Sequence, residues 1–159
     1  MKKLDNYIIE KLKIGKSTKS QYNYFPKNRD ELRKILEERL AKDKDADLND
    51  INVSEIIDMG EYAYKGLFDG LDPHDIDISR WNVSKVRNMS CMFYWCENFN
   101  CDLSNWDVSR VEDMRGMFAY CKKFKAEGLE NWKVTNNTKM KYMFDNCDSL
   151  KNKPSWYKS

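Results

Sequence analysis

One motif of about 25 residues, written three times, constrains this chain more than anything else in it: "WNVSKVRNMSCMFYWCENF" from Trp81, "WDVSRVEDMRGMFAYCKKF" from Trp106 and "WKVTNNTKMKYMFDNCDSL" from Trp132. Five columns keep the step: Trp81, Trp106 and Trp132; Val83, Val108 and Val134; Met89, Met114 and Met140; Phe93, Phe118 and Phe144; Cys96, Cys121 and Cys147. Ile78, Leu103 and Leu129 precede each tryptophan by three, and Phe99, Phe124 and Leu150 close each copy. A period of this length marks a repeat architecture, because no single unit can bury its apolar face alone and neighbours must stack to make a core. Asp47 to Phe68 reads as an earlier, divergent copy. Leu48, Val53, Ile56 and Met59 lie 30 residues before their counterparts, but Leu67 and Phe68 only 25, so about five residues are inserted around Glu61–Tyr64. Trp156, 24 residues beyond Trp132, opens a unit that then stops.

Within a unit the apolar period changes. Trp81 and Val83 are two apart, which suits a short extended segment. Met89, Met92, Phe93 and Cys96 fall at i, i+3, i+4 and i+7, the spacing of one helical face. The expectation is therefore an α/β repeat with one short strand and one short helix per coil, wound into a short solenoid. Its coils would run 46–74, 75–100, 101–127 and 128–153, with a partial unit to 159. Residues 1–45 would form a basic head and an N-terminal helical cap. In "FPKNRDELRKILEERLAKD", Asn28 with Glu31 three later predicts a capped helix start. Leu32, Ile35, Leu36 and Leu40 make its apolar stripe, over about 29–42.

Charge and cysteine usage narrow the function classes. The net charge is +2, but residues 1–29 hold eight Lys/Arg against Asp5 and Glu10, so they carry +6 and the remainder −4. The lysines Lys11, Lys13, Lys16 and Lys19 are a candidate contact for an acidic partner or nucleic acid. Asp5 and Glu10 interrupt any apolar run near the start, so no secretory leader is expected and the chain reads as cytoplasmic. No apolar run approaches a membrane span. The five cysteines include no C-x-x-C pair, and His74 is the only histidine. No metal site is expected, and Cys96, Cys121 and Cys147 read as fillers of one small apolar slot. Without a nucleophile elbow or phosphate loop, no enzyme activity and no cofactor are expected. The repeating Asp77/Asp102 and Asn82/Asp107 read as turn residues rather than an acid–base pair.

The repeats resemble the "W-D-[VT]-S-x-V-x-x-M-x-x-M-F" units of BspA-like leucine-rich-repeat proteins of the mycoplasma-lipoprotein type. The match is close over Trp81–Phe124 and looser in the flanking units, where Lys133, Asn137 and Gly128 depart from the pattern. The resemblance implies a leucine-rich-repeat-like solenoid and a binding or adhesion role. It carries no catalytic residues. A short version with no leader is also similar to products of phages or mobile elements, where a small domain blocks a host protein.

If the columns are core, function lies where the copies differ. Tyr94, Trp95 and Tyr120 lie off the Met/Phe/Cys face and are expected to form an outward aromatic strip, unless they pack on the neighbouring coil. Lys85, Arg87, Arg110 and Glu112 form a second variable set, between the expected strand and helix, whose mixed charge suits a protein partner. The function expected is a non-enzymatic protein–protein interaction module, in one form a phage-encoded, anti-CRISPR-like inhibitor of a host defence or nuclease protein. The alternatives are a nucleic-acid binder using the basic head and a bacterial surface adhesion repeat.

Overall fold

A computed structural model describes residues 21–61 and 65–158; the basic head with Lys11, Lys13, Lys16 and Lys19 lies outside the described residues. The helix expected near 29–42 forms as α1, Arg29–Leu40. Asn28 caps it: its side chain accepts from the Glu31 backbone N–H at 2.9 Å. The Glu31 carboxylate reaches back to the Lys27 N–H, one residue before the cap, at 2.9 Å. Leu32, Leu36 and Leu40 are buried, and Ile35 packs partly buried against the same core.

The α/β solenoid expected from the periodicity does not form. Among the described residues α1 is the only α-helix, Leu129–Asn131 is a single 3₁₀ turn, and there is no strand. The parallel pairing consists of isolated bridges, Tyr24 with Ile51, Asp47 with Asp77, Asp58 with Asn88, Asn88 with Asp113 and Asp113 with Lys139. The reason lies in the backbone between the apolar columns. Cys91, Gly116 and Tyr142, which occupy one repeat position, have φ of 53°, 61° and 63°. Trp95, Tyr120 and Asn146, which occupy another, have φ of 63°, 64° and 55°. A left-handed residue every four positions forbids a right-handed helix, so the i, i+3, i+4, i+7 spacing is made by tight turns instead.

Those turns divide their N–H groups between two tasks. Met92, Tyr94 and Cys96 donate within the unit, to the carbonyls of Met89, Cys91 and Phe93. Met89, Cys91, Phe93 and Trp95 donate to the following unit, to the carbonyls of Asp113, Arg115, Met117 and Ala119 at 2.8–3.0 Å. Met114, Gly116, Phe118 and Tyr120 repeat the pattern onto Lys139, Lys141, Met143 and Asp145. Backbone polar groups are thus satisfied in the core without a continuous ladder.

Side chains bind the units along their columns. The rings of Phe68, Phe93, Phe118 and Phe144 stack at 5.0, 5.5 and 5.7 Å between successive centroids. Each tryptophan sends its indole N–H to the unit before it: Trp81 to the Leu48 carbonyl, Trp106 to Ile78, Trp132 to Leu103 and Trp156 to Leu129, at 2.7–3.0 Å. This donor explains why the position holds tryptophan rather than another large apolar residue. Cys121 and Cys147 place their thiols 3.0 Å from the carbonyls of Phe93 and Phe118. Asp77, Asn82, Asp102 and Asp107 each accept from the N–H two residues on, in Asx turns.

Helix α1 and the turn after it close the front of this stack with cations. The first unit ends in a row of alternate carbonyls, Lys65, Leu67, Asp69 and Leu71. Arg29 donates to Lys65 at 2.9 Å, Arg33 to Leu67 and Asp69 at 2.7 and 2.6 Å, and Lys44 to Leu71. Lys65, Leu67 and Asp69 correspond to Ser90, Met92 and Tyr94, so these side chains stand where a preceding unit's N–H groups would otherwise reach.

Candidate binding surface

The left-handed positions decide which residues reach the surface. At such a position the side chain of Trp95 or Tyr120 turns away from the Phe column. Trp95 is 54% exposed and Tyr120 is half-buried beside it. Their rings stack at 4.4 Å with 23° between planes. Tyr94 meets Tyr120 edge-on at 5.5 Å. The expected aromatic residues therefore come together, both facing outward and packed on one another across two units. Ala119, which shares the Tyr94 slot, is buried.

Beside this cluster lies a groove of about 620 Å³, lined by Tyr94, Tyr120, Cys91, Arg115, Lys141 and Tyr142 among others. Tyr142 is 53% exposed, and the Lys141 ammonium sits 4.6 Å from its ring centroid. The hydrogen bond with Tyr142 raises the Lys141 pKa. Arg115 grips Asp113 with Nε at 3.0 Å and Nη2 at 2.6 Å, so the guanidinium is held in place while Asp113 is buried. Glu61 and Asp145 add negative charge to the lining, which leaves the groove mixed rather than basic.

The second variable set lies elsewhere. None of Lys85, Arg87, Arg110 and Glu112 lines the groove. All four are exposed, but three of them are in ion pairs between units: Lys85 pairs with Glu55 at 2.7 Å and Arg87 with Glu112 at 2.5 Å. Exposed pairs of this kind contribute little stability; they set charge register between units. Thr138, in the Glu112 slot's continuation, is buried and donates to the Val111 carbonyl at 2.9 Å.

Sequence reasoning missed Arg115, Lys141 and Tyr142. The signal was present: "SC", "RG" and "KY" after each Met89-type methionine vary between copies as much as "YW", "AY" and "DN" do.

The cysteines are buried apart from Cys101, which is half-buried. Burial raises every one of their pKa values, that of Cys101 to about 11 and that of Cys147 to about 12. Such thiols stay protonated near neutrality and are poor nucleophiles. Among the described residues no three His, Cys, Asp or Glu side chains are placed to hold a metal ion. Among them too, no helix is long and apolar enough to cross a membrane.

A family model described as "Mycoplasma protein of unknown function, DUF285" matches residues 31–157. No curated protein and no solved structure matches the chain.

Proposed function

The chain belongs to the DUF285 family of mycoplasma proteins of unknown function, and from that premise we propose that it is a non-enzymatic binding module that docks another protein through the Tyr94–Trp95–Tyr120 cluster and the groove beside it. The observation that carries the reading is the stacked Trp95–Tyr120 pair. Both residues occupy left-handed backbone, where a bulky side chain costs about 1–3 kcal/mol and glycine or asparagine costs little. Gly70 and Asn146 hold the same repeat position in the flanking units, at φ of 68° and 55°. At this repeat position, local backbone preference and side chain thus disagree in the two central units and agree in the flanking ones, and such disagreement concentrates at functional positions. Exposed Trp and Tyr on a rigid scaffold supply large contact area at small entropic cost. The balanced charge of the groove supports a protein partner over a polyanion.

The test is affinity capture from the native host with the wild type and with Trp95→Ala combined with Tyr120→Ala. Retention of the captured protein is expected to fall by at least about tenfold, the loss of one aromatic hot spot, while the melting transition stays cooperative. Undiminished capture by the double variant would place the contact elsewhere. Binding to nucleic acid that strengthens steeply as salt falls would favour the basic head instead.

A further inference from the structure

The two ends of the stack are chemically unlike. At the front, every alternate carbonyl from Lys65 to Leu71 is occupied by Arg29, Arg33 or Lys44. At the back, the last full unit presents the N–H groups of Met140, Tyr142, Phe144 and Asn146. These correspond to Met114, Gly116, Phe118 and Tyr120, each of which donates to a carbonyl of the next unit. Among the described residues, the four N–H groups of the last unit have no acceptor.

The segment after them covers side chains, not this row. Trp156 stacks on Trp132 at 6.0 Å and Tyr157 meets Phe144 edge-on at 5.2 Å. Among the described residues, the only hydrogen bond from this segment to the four is the Lys158 N–H on the Met140 sulfur at 3.2 Å. The apolar columns are therefore closed, with Met140 and Phe144 buried among them, while the backbone edge stays open at the exposed Tyr142 and Asn146, and unpaired N–H groups on an edge are a template for an extended chain.

We infer that this edge is a second docking site, which takes an extended acidic peptide segment of a partner. Its backbone carbonyls would accept from the N–H groups of Tyr142 and Asn146. Charge selects the partner. Residues 139–158 carry five lysines against Asp145 and Asp148, a net +3. Lys141 lies within the row, Lys153 sits over the Tyr157 ring at 5.0 Å, and Lys158, whose backbone N–H meets the Met140 sulfur, donates from its ammonium to Asn136 Oδ1 at 3.2 Å. Polarity excludes a second copy. The same end of another molecule would set donors against donors, and the carbonyl edge at its front is already filled by α1.

The test uses the full chain and a labelled alternating Glu-Val peptide of about ten residues, the length of a long strand, with the Lys-Val peptide as control. In the free protein, the Tyr142 and Asn146 amides are expected to exchange faster with solvent than those of Gly116 and Tyr120. The acidic peptide should slow them by at least about tenfold, since paired amides are protected. Lys153→Glu with Lys158→Glu should weaken binding by at least about tenfold, and more so at low salt. Trp95→Ala should leave it unchanged, which separates this site from the aromatic cluster. The inference is overturned if the acidic peptide does not bind, if the Lys-Val peptide binds as well, or if binding leaves the Tyr142 and Asn146 amides unprotected. Concentration-dependent dimerisation that protects the same amides would overturn it too, since the occupant would then be a second copy.

Discussion

Tyr120 holds a backbone φ of 64° while its ring stacks on Trp95, so two effects at one residue can be separated by substitution. Alanine and glycine both delete the ring, but only glycine relaxes the left-handed strain. Tyr120→Gly is expected to be more stable than Tyr120→Ala by about 1 kcal/mol, measured by denaturant unfolding. Equal stabilities would mean the turn rearranges when the ring is lost. Asp107 offers a second test. Its bond from Ser109 holds its carboxyl below the ordinary value of 3.8. A carboxyl whose folded pKa is depressed contributes stability that is complete above its unfolded pKa and is lost as pH falls through the folded one. Asp107→Asn, which keeps the turn acceptor as Asn82 does, should therefore lose less stability than the wild type on acidification below about pH 4. Melts at pH 7 and pH 3 would show it, and identical losses would mean the turn bond does not set the shift.

At the scale of one repeat, stability rests on columns rather than on secondary structure. Phe118 is fully buried and stacks on Phe93, Phe124 and Phe144 at 5.5, 4.2 and 5.7 Å. Phe118→Ala should cost roughly 3–5 kcal/mol, because the rings above and below cannot close the gap without breaking the inter-unit N–H bonds. A melting point that barely moves would show that the column adapts. Much of the unit was legible beforehand. The Trp, Val, Met, Phe and Cys positions read as core are buried, with Val134 only partly so, and the Asn28 cap forms as expected. The helix within each unit was not legible, because spacing records which side chains are buried together and says nothing of the sign of φ. Gly116 at one repeat position and Gly70 and Asn146 at the other hinted at left-handed backbone, but the bulky residues in the remaining copies masked it.

For the whole molecule the directional bonding matters most. Each unit gives N–H groups forward, so the front needs donors and the back needs acceptors. Arg33 supplies the front with two bonds, to Leu67 and Asp69. Arg33→Leu would keep the apolar stem but leave both carbonyls without that partner, at about 1–3 kcal/mol for each. In a stack where each unit contacts mainly its neighbours, the loss stays local. Amide exchange at Met59 and Phe68 should quicken while that at Phe118 and Tyr120 is unchanged. A uniform increase along the chain would show that the stack unfolds as one cooperative body instead.

The sequence by itself determined the repeat, the core columns, the capping helix and the Asx turns. Each of these follows from local chemistry or from a period, and both are written in residue order. Only the tertiary structure decided that the units are tight left-handed turns joined by isolated bridges. It alone brought Arg115, Lys141 and Tyr142 beside Tyr94 and Tyr120, paired Arg87 with Glu112, and left one edge closed and the other open. Those outcomes depend on where each N–H finds its acceptor, and that acceptor lies about 25 residues away, in a neighbour whose placement no single copy encodes.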